Sequence, residues 1–506
     1  MDTLSNLAHG FSVALQPEAL LFCFIGVTLG TLVGVLPGIG SLAAISMCLP
    51  LTFYMDPLIG LIVLAGVFYG AQYGSSTASI LLNIPGSPAS VVTCLDGYPM
   101  AQQGKAGQAL FITTITSFVG GSIGIVLMIL ISPALSDFAL SFRAPDYFAL
   151  MLLGLVAAST LSIGSPMKGL AMVAFGLLLG SIGTDVNTGA LRFTFGSTNL
   201  MDGIGLVPLS MGLFGVAELL SNLGRKSIGT NEKIGLRQMI PTRQQVRDST
   251  WPTLRGSALG AAIGAMPGSG GTIASFMSYA VEKRVSRHPE KFGRGAVEGI
   301  AAPEASNNAA VQTAFIPTLC IGVPGDSVMA VLLGAMIVHG IVPGPTFIAN
   351  QPDLFWGLIA SFWIGNLLLL VLNIPVIGLW VRVTRIPMGV LTPSVLILMC
   401  LGAYAVNSNI FDVWVMLFFG IVGVGLTRYG YPAAPVLLGY ILGPLVEENF
   451  RRAMLVARGD PMQFFTRPIS ATLLAITALL LILAFRGAIV ARGRGRPPVG
   501  QAEVAE

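Results

Sequence analysis

The chain has 506 residues, of which 54% are apolar and 10% charged, with a mean hydropathy of +0.80. Soluble domains carry about 25% charged residues, so a water-soluble globular protein is excluded, as are disordered and collagen-like chains. The net charge of +4, from 27 Lys+Arg against 23 Asp+Glu, is too small and too confined to loops for nucleic-acid binding.

The apolar runs are long and continuous, which argues against the alternating strands of a membrane β-barrel. An all-α polytopic membrane protein remains, with room for about ten to fourteen embedded segments of ~20 residues. In chain order the apolar stretches cover 19–49, 58–72, 77–93, 109–133, 147–164, 168–184, 204–221, 256–281, 309–323, 328–342, 354–381, 389–405, 411–426, 433–446 and 469–485. Residues 1–20 hold no Lys or Arg, so no cleavable signal peptide is expected. Cys23, Cys48, Cys94, Cys320 and Cys400 sit in or beside these runs without CxxC spacing and read as packing thiols.

Several runs are too short, or too rich in Gly and Pro, to be simple spans, which suggests helices that break inside the membrane. The polar insertion 222–255 holds seven Lys/Arg and the loop 283–294 five. Short basic loops stay cytoplasmic, yet only 256–281 separates these two. Its centre reads Met266-Pro267-Gly268-Ser269-Gly270-Gly271. A re-entrant hairpin with its tip at Pro267–Gly271 reconciles both facts. One ordinary span with an uninformative charge balance is the alternative.

The chain repeats itself. Leu29-Gly30-x-x-x-Gly34-x-x-Pro37-Gly38-x-Gly40 recurs as Leu259-Gly260-x-x-x-Gly264-x-x-Pro267-Gly268-x-Gly270, at an offset of 230. Ile84-Pro85-Gly86-Ser87 answers Val323-Pro324-Gly325-Asp326 at 239, and Ser117-Phe118-x-x-Gly121 answers Ser361-Phe362-x-x-Gly365 at 244. Phe175-Gly176 answers Phe419-Gly420, again at 244. An ordered set of landmarks points to a duplication. The expected organisation is a first membrane repeat 17–223, a basic cytoplasmic linker 224–251, a second membrane repeat 252–446, and a C-terminal span and tail 447–506. The flanks of the first hairpin, 1–20 and 50–57, lack Lys and Arg, whereas the second is flanked by the basic loops. The hairpins are therefore expected to open to opposite sides, as inverted-topology repeats do. Arg486, Arg492, Arg494 and Arg496 after the last span place the tail inside.

Each half carries two Pro-Gly breaks: Pro37–Ser41 and Asn83–Ser87, then Pro267–Thr272 and Gly322–Ser327. A broken helix exposes unpaired N–H groups whose dipole attracts anions, and exposed carbonyls that suit Na⁺. Four breaks converging would make one site for a small anion and a coupling ion. The bland alternative is that these residues only permit kinks and close packing. The candidate substrate-binding residues are Pro37, Gly38, Gly40, Ser41, Asn83, Pro85, Gly86, Ser87, Pro267, Gly268, Ser269, Gly270, Gly271, Pro324 and Gly325. To these are added the polar patches Ser75-Ser76 and Asn307-Asn308, the latter following Glu304 and Ser306; interhelical hydrogen bonding is their alternative role.

Ionisable residues in apolar runs are costly and usually functional. Asp326, directly after Pro324-Gly325, is expected to bind Na⁺, carry a proton or cap the next half-helix, with Ser327 and Thr272 beside it in ion coupling. Asp326 is the one clearly embedded acid. Glu218 is expected near the cytoplasmic edge, close to Arg225 and Lys226, and His339 at an interface. No Walker A, HExxH or GxSxG motif occurs, so neither an ATPase nor an enzyme is expected, and no cofactor beyond Na⁺ or H⁺.

At these residues the chain resembles a known family, the large membrane subunit of the bacterial tripartite tricarboxylate transporters. The resemblance rests on Gly34-x-x-Pro37-Gly38-Ile39-Gly40, Tyr69-Gly70-x-x-Tyr73-Gly74-Ser75-Ser76, Leu82-Asn83-Ile84-Pro85-Gly86 and Asp96-Gly97-Tyr98-Pro99. It continues through Met266-Pro267-Gly268-Ser269-Gly270, Glu304-Ala305-Ser306-Asn307-Asn308-Ala309 and Ile321-Gly322-Val323-Pro324-Gly325. It implies a bacterial inner-membrane carrier of citrate-like carboxylates driven by an ion gradient. It also implies two partners, a periplasmic solute-binding protein and a small four-span membrane subunit, in a complex compatible with a homodimer. A gradient-independent channel or scaffold is the second reading, and an intramembrane enzyme the third.

Overall fold

The computed structural model describes residues 3–36, 39–161, 165–185, 187–222, 235–268, 270–384, 386 and 388–493. Among them the chain is almost wholly helical. The first part holds α1 (Thr3–Ala14), α2 (Pro17–Val35), α3 (Ser41–Thr52), α4 (Pro57–Leu82), α5 (Val91–Gln102), α6 (Ala106–Ala139), α7 (Ala144–Leu161) and α8 (Pro166–Gly180). A two-residue antiparallel pair, Gly183–Thr184 with Leu191–Arg192, precedes α9 (Leu206–Ser210), a π-helical turn (Met211–Val216) and α10 (Ala217–Ser221). The second part holds α11 (Arg243–Gly264), α12 (Gly270–Val285), α13 (Glu298–Thr313), α14 (Phe315–Cys320), α15 (Ser327–Val338), α16 (Phe347–Asn350), α17 (Pro352–Asn373) and α18 (Ile377–Val383). It closes with α19 (Met388–Asn407), α20 (Ile410–Arg428), α21 (Ala434–Val456), α22 (Gln463–Thr466) and α23 (Pro468–Gly493). Seven of these helices are long and apolar enough to cross a membrane, and several shorter apolar ones accompany them.

Local chemistry sets several helix starts. Asp56 precedes Pro57 and accepts from the Leu58 amide at 2.9 Å to open α4, and Thr242 with Gln245 forms a capping box on α11. Asn409 caps α20 through the Phe411 amide at 2.9 Å.

Small residues then bring the helices into backbone contact, since lipid supplies no hydrophobic drive between them. Gly26, Gly30 and Gly34 of α2 press on Val63, Val67 and Ala71 of α4; a Cβ on Gly26 would lie 2.7 Å from the Val63 carbonyl oxygen. Gly256, Gly260 and Gly264 of α11 press in the same way on Ala302, Ser306 and Ala310 of α13; a Cβ on Gly260 would lie 2.6 Å from the Ser306 Cα. Both pairs of numbers rise together, so α2 runs parallel to α4 and α11 parallel to α13.

Between them the chain doubles back. Along α3, Thr52 lies by Gly60 and Ser41 by Gln72, so α3 returns antiparallel to α4. Likewise Ser306 Oγ donates to the Ala274 carbonyl at 3.0 Å and Asn307 abuts Gly271, so α12 returns along α13. Residues 256–281 are thus a helical hairpin, with α11 and α12 breaking apart at 265–269 rather than forming one span. The arms are clasped at the base, where the Arg255 guanidinium donates to buried Glu282 at 2.6 and 3.0 Å.

The two hairpins face opposite ways. Along the contact of α4 with α13 and the adjoining α14, Tyr69 meets Phe315 of α14 with ring centroids 6.2 Å apart, Gln72 meets Asn307 at 3.1 Å and Ser76 meets Glu304 at 2.7 Å. One number rises as the other falls, so α4 and α13 are antiparallel and the hairpin bases lie at opposite ends. Each part also lends helices to the other. Gly120 of α6 packs on Ala305 of α13, and Tyr73 of α4 donates to Asn366 of α17 at 2.7 Å. Gly176 of α8 abuts Val436 and Tyr440 of α21, and Gly212 of the π-turn abuts Met416 and Gly420 of α20. Arg467 pins the start of α23 to buried Asp146 of α7 at 2.6 Å.

Antiparallel hairpins predict opposite accessibility. Single cysteines at Ser5 and Arg287, both exposed, in a background lacking native Cys should react with an impermeant maleimide from opposite sides of sealed vesicles. Reaction of both from one side would overturn the topology.

Candidate functional site

Where the hairpins meet lies a cavity of about 400 Å³. Four helix starts line it. They are Ser41-Leu42 of α3, Ser87-Pro88-Ala89 of the short 3-10 turn that runs into α5, Gly270–Ile273 of α12, and Asp326–Val328 of α15. The start of α21 at Pro432–Pro435 adds a fifth. Each start leaves N–H groups without intrahelical partners.

The sequence-predicted residues divide. Gly40, Ser41, Ser87, Gly268, Gly270, Gly271, Thr272, Asn307, Asp326 and Ser327 come together on this cavity. Pro37, Gly38 and Ser269 lie outside the described residues. The remaining candidates are not among its lining residues. Asn83 ends α4 in the left-handed conformation at φ 56° and is exposed. Pro85 lies in the same break, and Gly86 packs on Gly34 and Ser75. Pro267 and Pro324 shape their breaks, which are tied together by the Gly268 amide on the Gly325 carbonyl at 2.7 Å. Gly325 itself packs on Ala314.

The polar patches serve a second centre. Ser76 Oγ, Thr93 Oγ1 and Ser117 Oγ donate to Glu304 at 2.7, 2.5 and 3.2 Å, and Asn308 Nδ2 donates to the Glu304 carbonyl at 3.0 Å. Ser75 Oγ donates to the Gln72 carbonyl at 2.8 Å and accepts from Ser87 Oγ at 3.3 Å. Glu304 is 2% exposed, so Asp326 is not alone as an embedded acid.

At the cavity, Asp326 accepts from the Met329 amide at 2.8 Å and so caps α15. A relay crosses between the hairpin tips. Gln72 Nε2 approaches Ser41 Oγ at 3.5 Å, and Asn307 Nδ2 donates to Gln72 Oε1 at 3.1 Å. Asn307 Oδ1 is buried with no partner. Sequence reasoning missed Gln72, whose signal is an amide inside the apolar run 58–72. It also did not foresee Glu218 at the cavity, where that carboxylate lies beside Gly40: a Cβ there would stand 3.5 Å from Glu218 Oε2. His339 stacks on Phe53, centroids 5.7 Å apart, at the ends of α15 and α3.

A larger cavity of about 630 Å³ lies elsewhere, around Asp185, Arg192 and Glu447. There Arg192 and Arg451 already hold Asp185 at 2.8 and 3.0 Å. The Thr188 hydroxyl, the Asn187 amide and these arginines keep that carboxyl well below the usual range. Asp185, Glu447, Arg192 and Arg451 there satisfy one another, whereas the 400 Å³ cavity gathers helix starts and an unpartnered amide.

The tripartite tricarboxylate transporter TctA family matches residues 20–438. The chain belongs to this family. It is 50% identical over 487 residues, 96% of each chain, to an uncharacterized 52.8 kDa protein in the TAR-I ttuC' 3' region of Agrobacterium vitis. It is also 52% identical over 225 residues to an uncharacterized protein in the TAR-II ttuC' 3' region of that organism, covering 44% of this chain and 93% of the relative. No solved structure matches. A TctA chain is a multi-pass membrane component of a transport system of several subunits, and the family is one of transporters.

Gly268 tests the cavity wall. It has φ +82°, and a Cβ there would stand 2.6 Å from the Ala158 amide nitrogen. Gly268→Val should abolish substrate uptake while the protein still inserts, because both the left-handed backbone and the close approach are lost. Near-normal uptake by an inserted Gly268→Val protein would remove this turn from the site.

Proposed function

We propose that this TctA chain is the permease subunit of a binding-protein-dependent secondary transporter that imports small, citrate-like di- or tricarboxylates by cation symport. The observation that carries this reading is the convergence of four half-helix N-termini, two from each half of the chain, on one cavity. Helix starts act like roughly half a positive charge each, and their free N–H groups suit carboxylate oxygens. Among the described residues no Lys, Arg or His lines the cavity, yet Asp326 does. An entering carboxylate meets a resident one, and a cation on Asp326, with Ser327 and Thr272 nearby, relieves that repulsion. This links anion entry to cation entry. The two repeats, 17–223 and 252–446, rock about the fixed site to expose it to either side.

The implied setting is the bacterial inner membrane. A periplasmic solute-binding protein delivers substrate, a small four-span subunit completes the membrane part, and the complex is compatible with a homodimer. No cofactor takes part, and the protein is not an enzyme. Reconstitution with both partners in proteoliposomes tests the reading. Uptake of radiolabelled citrate or a dicarboxylate should need the binding protein and stop when ionophores abolish the Na⁺ and H⁺ gradients. Uptake indifferent to the gradients would favour a channel.

A further inference from the structure

The two hairpin tips are marked alike, though not by equivalent residues. Gly40 and Gly270 occupy matching positions at the offset of 230, and each has a carboxylate against it. A Cβ on Gly270 would lie 3.2 Å from Asp326 Cβ, and one on Gly40 would lie 3.5 Å from Glu218 Oε2. Asp326 belongs to the break before α15, where the first half has Ser87, whereas Glu218 comes from α10. The acids thus reach corresponding places by different routes.

Glu218 has no counter-charge among the described residues. Among the described residues it has no ion pair, and no basic side chain lines the cavity. Helices α3 and α19 carry no charged residue. On α20, Asp412 is engaged by Asn407 at 2.8 Å and Arg428 is exposed. On α21 the nearest charges are Glu447 and Glu448, which Arg192, Arg451 and Arg452 hold. On α12, Glu282 is held by Arg255. Across the cavity the facing charge is Asp326. Asn307 Oδ1, 4% exposed as a residue and unpartnered, also lines this space and calls for a donor. Two carboxylates without ion pairs on one cavity repel a third that arrives with the substrate, and taking up a proton relieves that repulsion.

We propose that Glu218 is a second coupling carboxylate, a proton-binding site at the first hairpin tip that works alongside Asp326 at the second. This rests on the transport reading above. Glu218 lies against the Gly40 backbone, and among the described residues no side-chain oxygen is bonded to it as Na⁺ ligation requires, so we take the cation to be H⁺. The step is simple: the carboxylate takes one proton from the side to which the cavity opens and releases it on the other. Each cycle then neutralises two acids, one per hairpin.

Dicyclohexylcarbodiimide tests this on the full complex in proteoliposomes, because it adds to protonated carboxyls in apolar surroundings and leaves a stable N-acylurea. The Glu218 peptide should carry the adduct in mass spectra, with a yield that falls as pH rises and is the same in Na⁺ and choline buffers. Glu218→Gln should lose that adduct and the acceleration of uptake by an inward proton gradient, and Glu218→Asp should restore the acceleration. An unmodified peptide at every pH, a yield independent of pH, or protection by Na⁺ would each overturn the proposal. Labelling needs no transport, so a complex that labels at Glu218 but moves no carboxylate counts against the transport reading alone.

Discussion

Gly260→Leu should prevent the protein from being recovered as a folded, monodisperse species. The α11–α13 contact has no room: a Cβ at Gly260 already falls 2.6 Å from both the Cα and the carbonyl carbon of Ser306. Backbone cannot rotate away as a side chain can, so the helices must separate. Separation would break the neighbouring contacts of Gly256 on Ala302 and Gly264 on Ala310 as well. Overpacking costs about 1–3 kcal/mol for small insertions, which sets the scale for Gly260→Ala, and the three further carbons of leucine exceed it. The matching change Gly30→Leu in α2, against Val67, should do the same. Gly425 in α20 is the control, with nothing within 4 Å of its would-be Cβ. Gly425→Ala should leave stability unchanged or raise it by up to about 1 kcal/mol, the helix preference of Ala over Gly. Thermal melting followed by size-exclusion chromatography reads all three. A wild-type melt for Gly260→Leu would show that this approach does not hold the hairpin.

These same glycines explain how much of the fold was legible in the sequence. Gly30, Gly34, Gly260 and Gly264 repeat because each pair of parallel helices needs the same backbone approach, so the spacing showed through as an offset of 230. Charge did the next part: Arg255 and Lys283 flank one apolar run and imply that it turns back. What the sequence hid was set by contacts between distant segments. Glu218 looks peripheral because Arg225 and Lys226 follow it closely. Only the return of α3 beside the π-turn and α10 puts the carboxylate against Gly40. Glu304 looks like the polar edge of a span until Ser76, Thr93 and Ser117 arrive from three other helices. Asp96 is similar. It falls between the apolar runs 77–93 and 109–133 yet is fully buried, accepting from the amides of Gly293, Arg294, Gly295 and Ala296 at 2.8 to 3.1 Å and from the Tyr279 hydroxyl at 3.0 Å. It thereby fastens the second basic loop to α5. Hydrophobic pattern reports which residues leave water, and it carries no information about which distant hydroxyl or amide meets a buried acid.

Asp326→Asn should lose gradient-driven accumulation of carboxylate while retaining exchange of internal for external substrate. The carboxylate has two roles at one atom group. It caps α15 by accepting from the Met329 amide at 2.8 Å, and it places a negative charge on a cavity lined, among the described residues, by no basic side chain. Asparagine preserves the first role, because Asn and Asp cap about equally well, and its shape keeps contact with Gly270. It removes the second. With Asp326 neutral, the empty cavity can change sides with no cation at that carboxylate, and a carrier that returns without this cation no longer ties substrate flux tightly to the gradient. Accumulation should therefore fall sharply toward the equilibrium level, whereas exchange, which never requires the empty carrier to reorient, should continue. Parallel measurements in the same proteoliposomes separate the roles. If capping were all that Asp326 contributes, Asp326→Asn would accumulate substrate almost as the wild type does, and that single result would remove Asp326 from the coupling mechanism. Asp326→Ala adds the converse: it loses cap and charge together, so it should match the Asn variant in accumulation and fall below it in thermal stability, by about 1 kcal/mol for a lost N-cap.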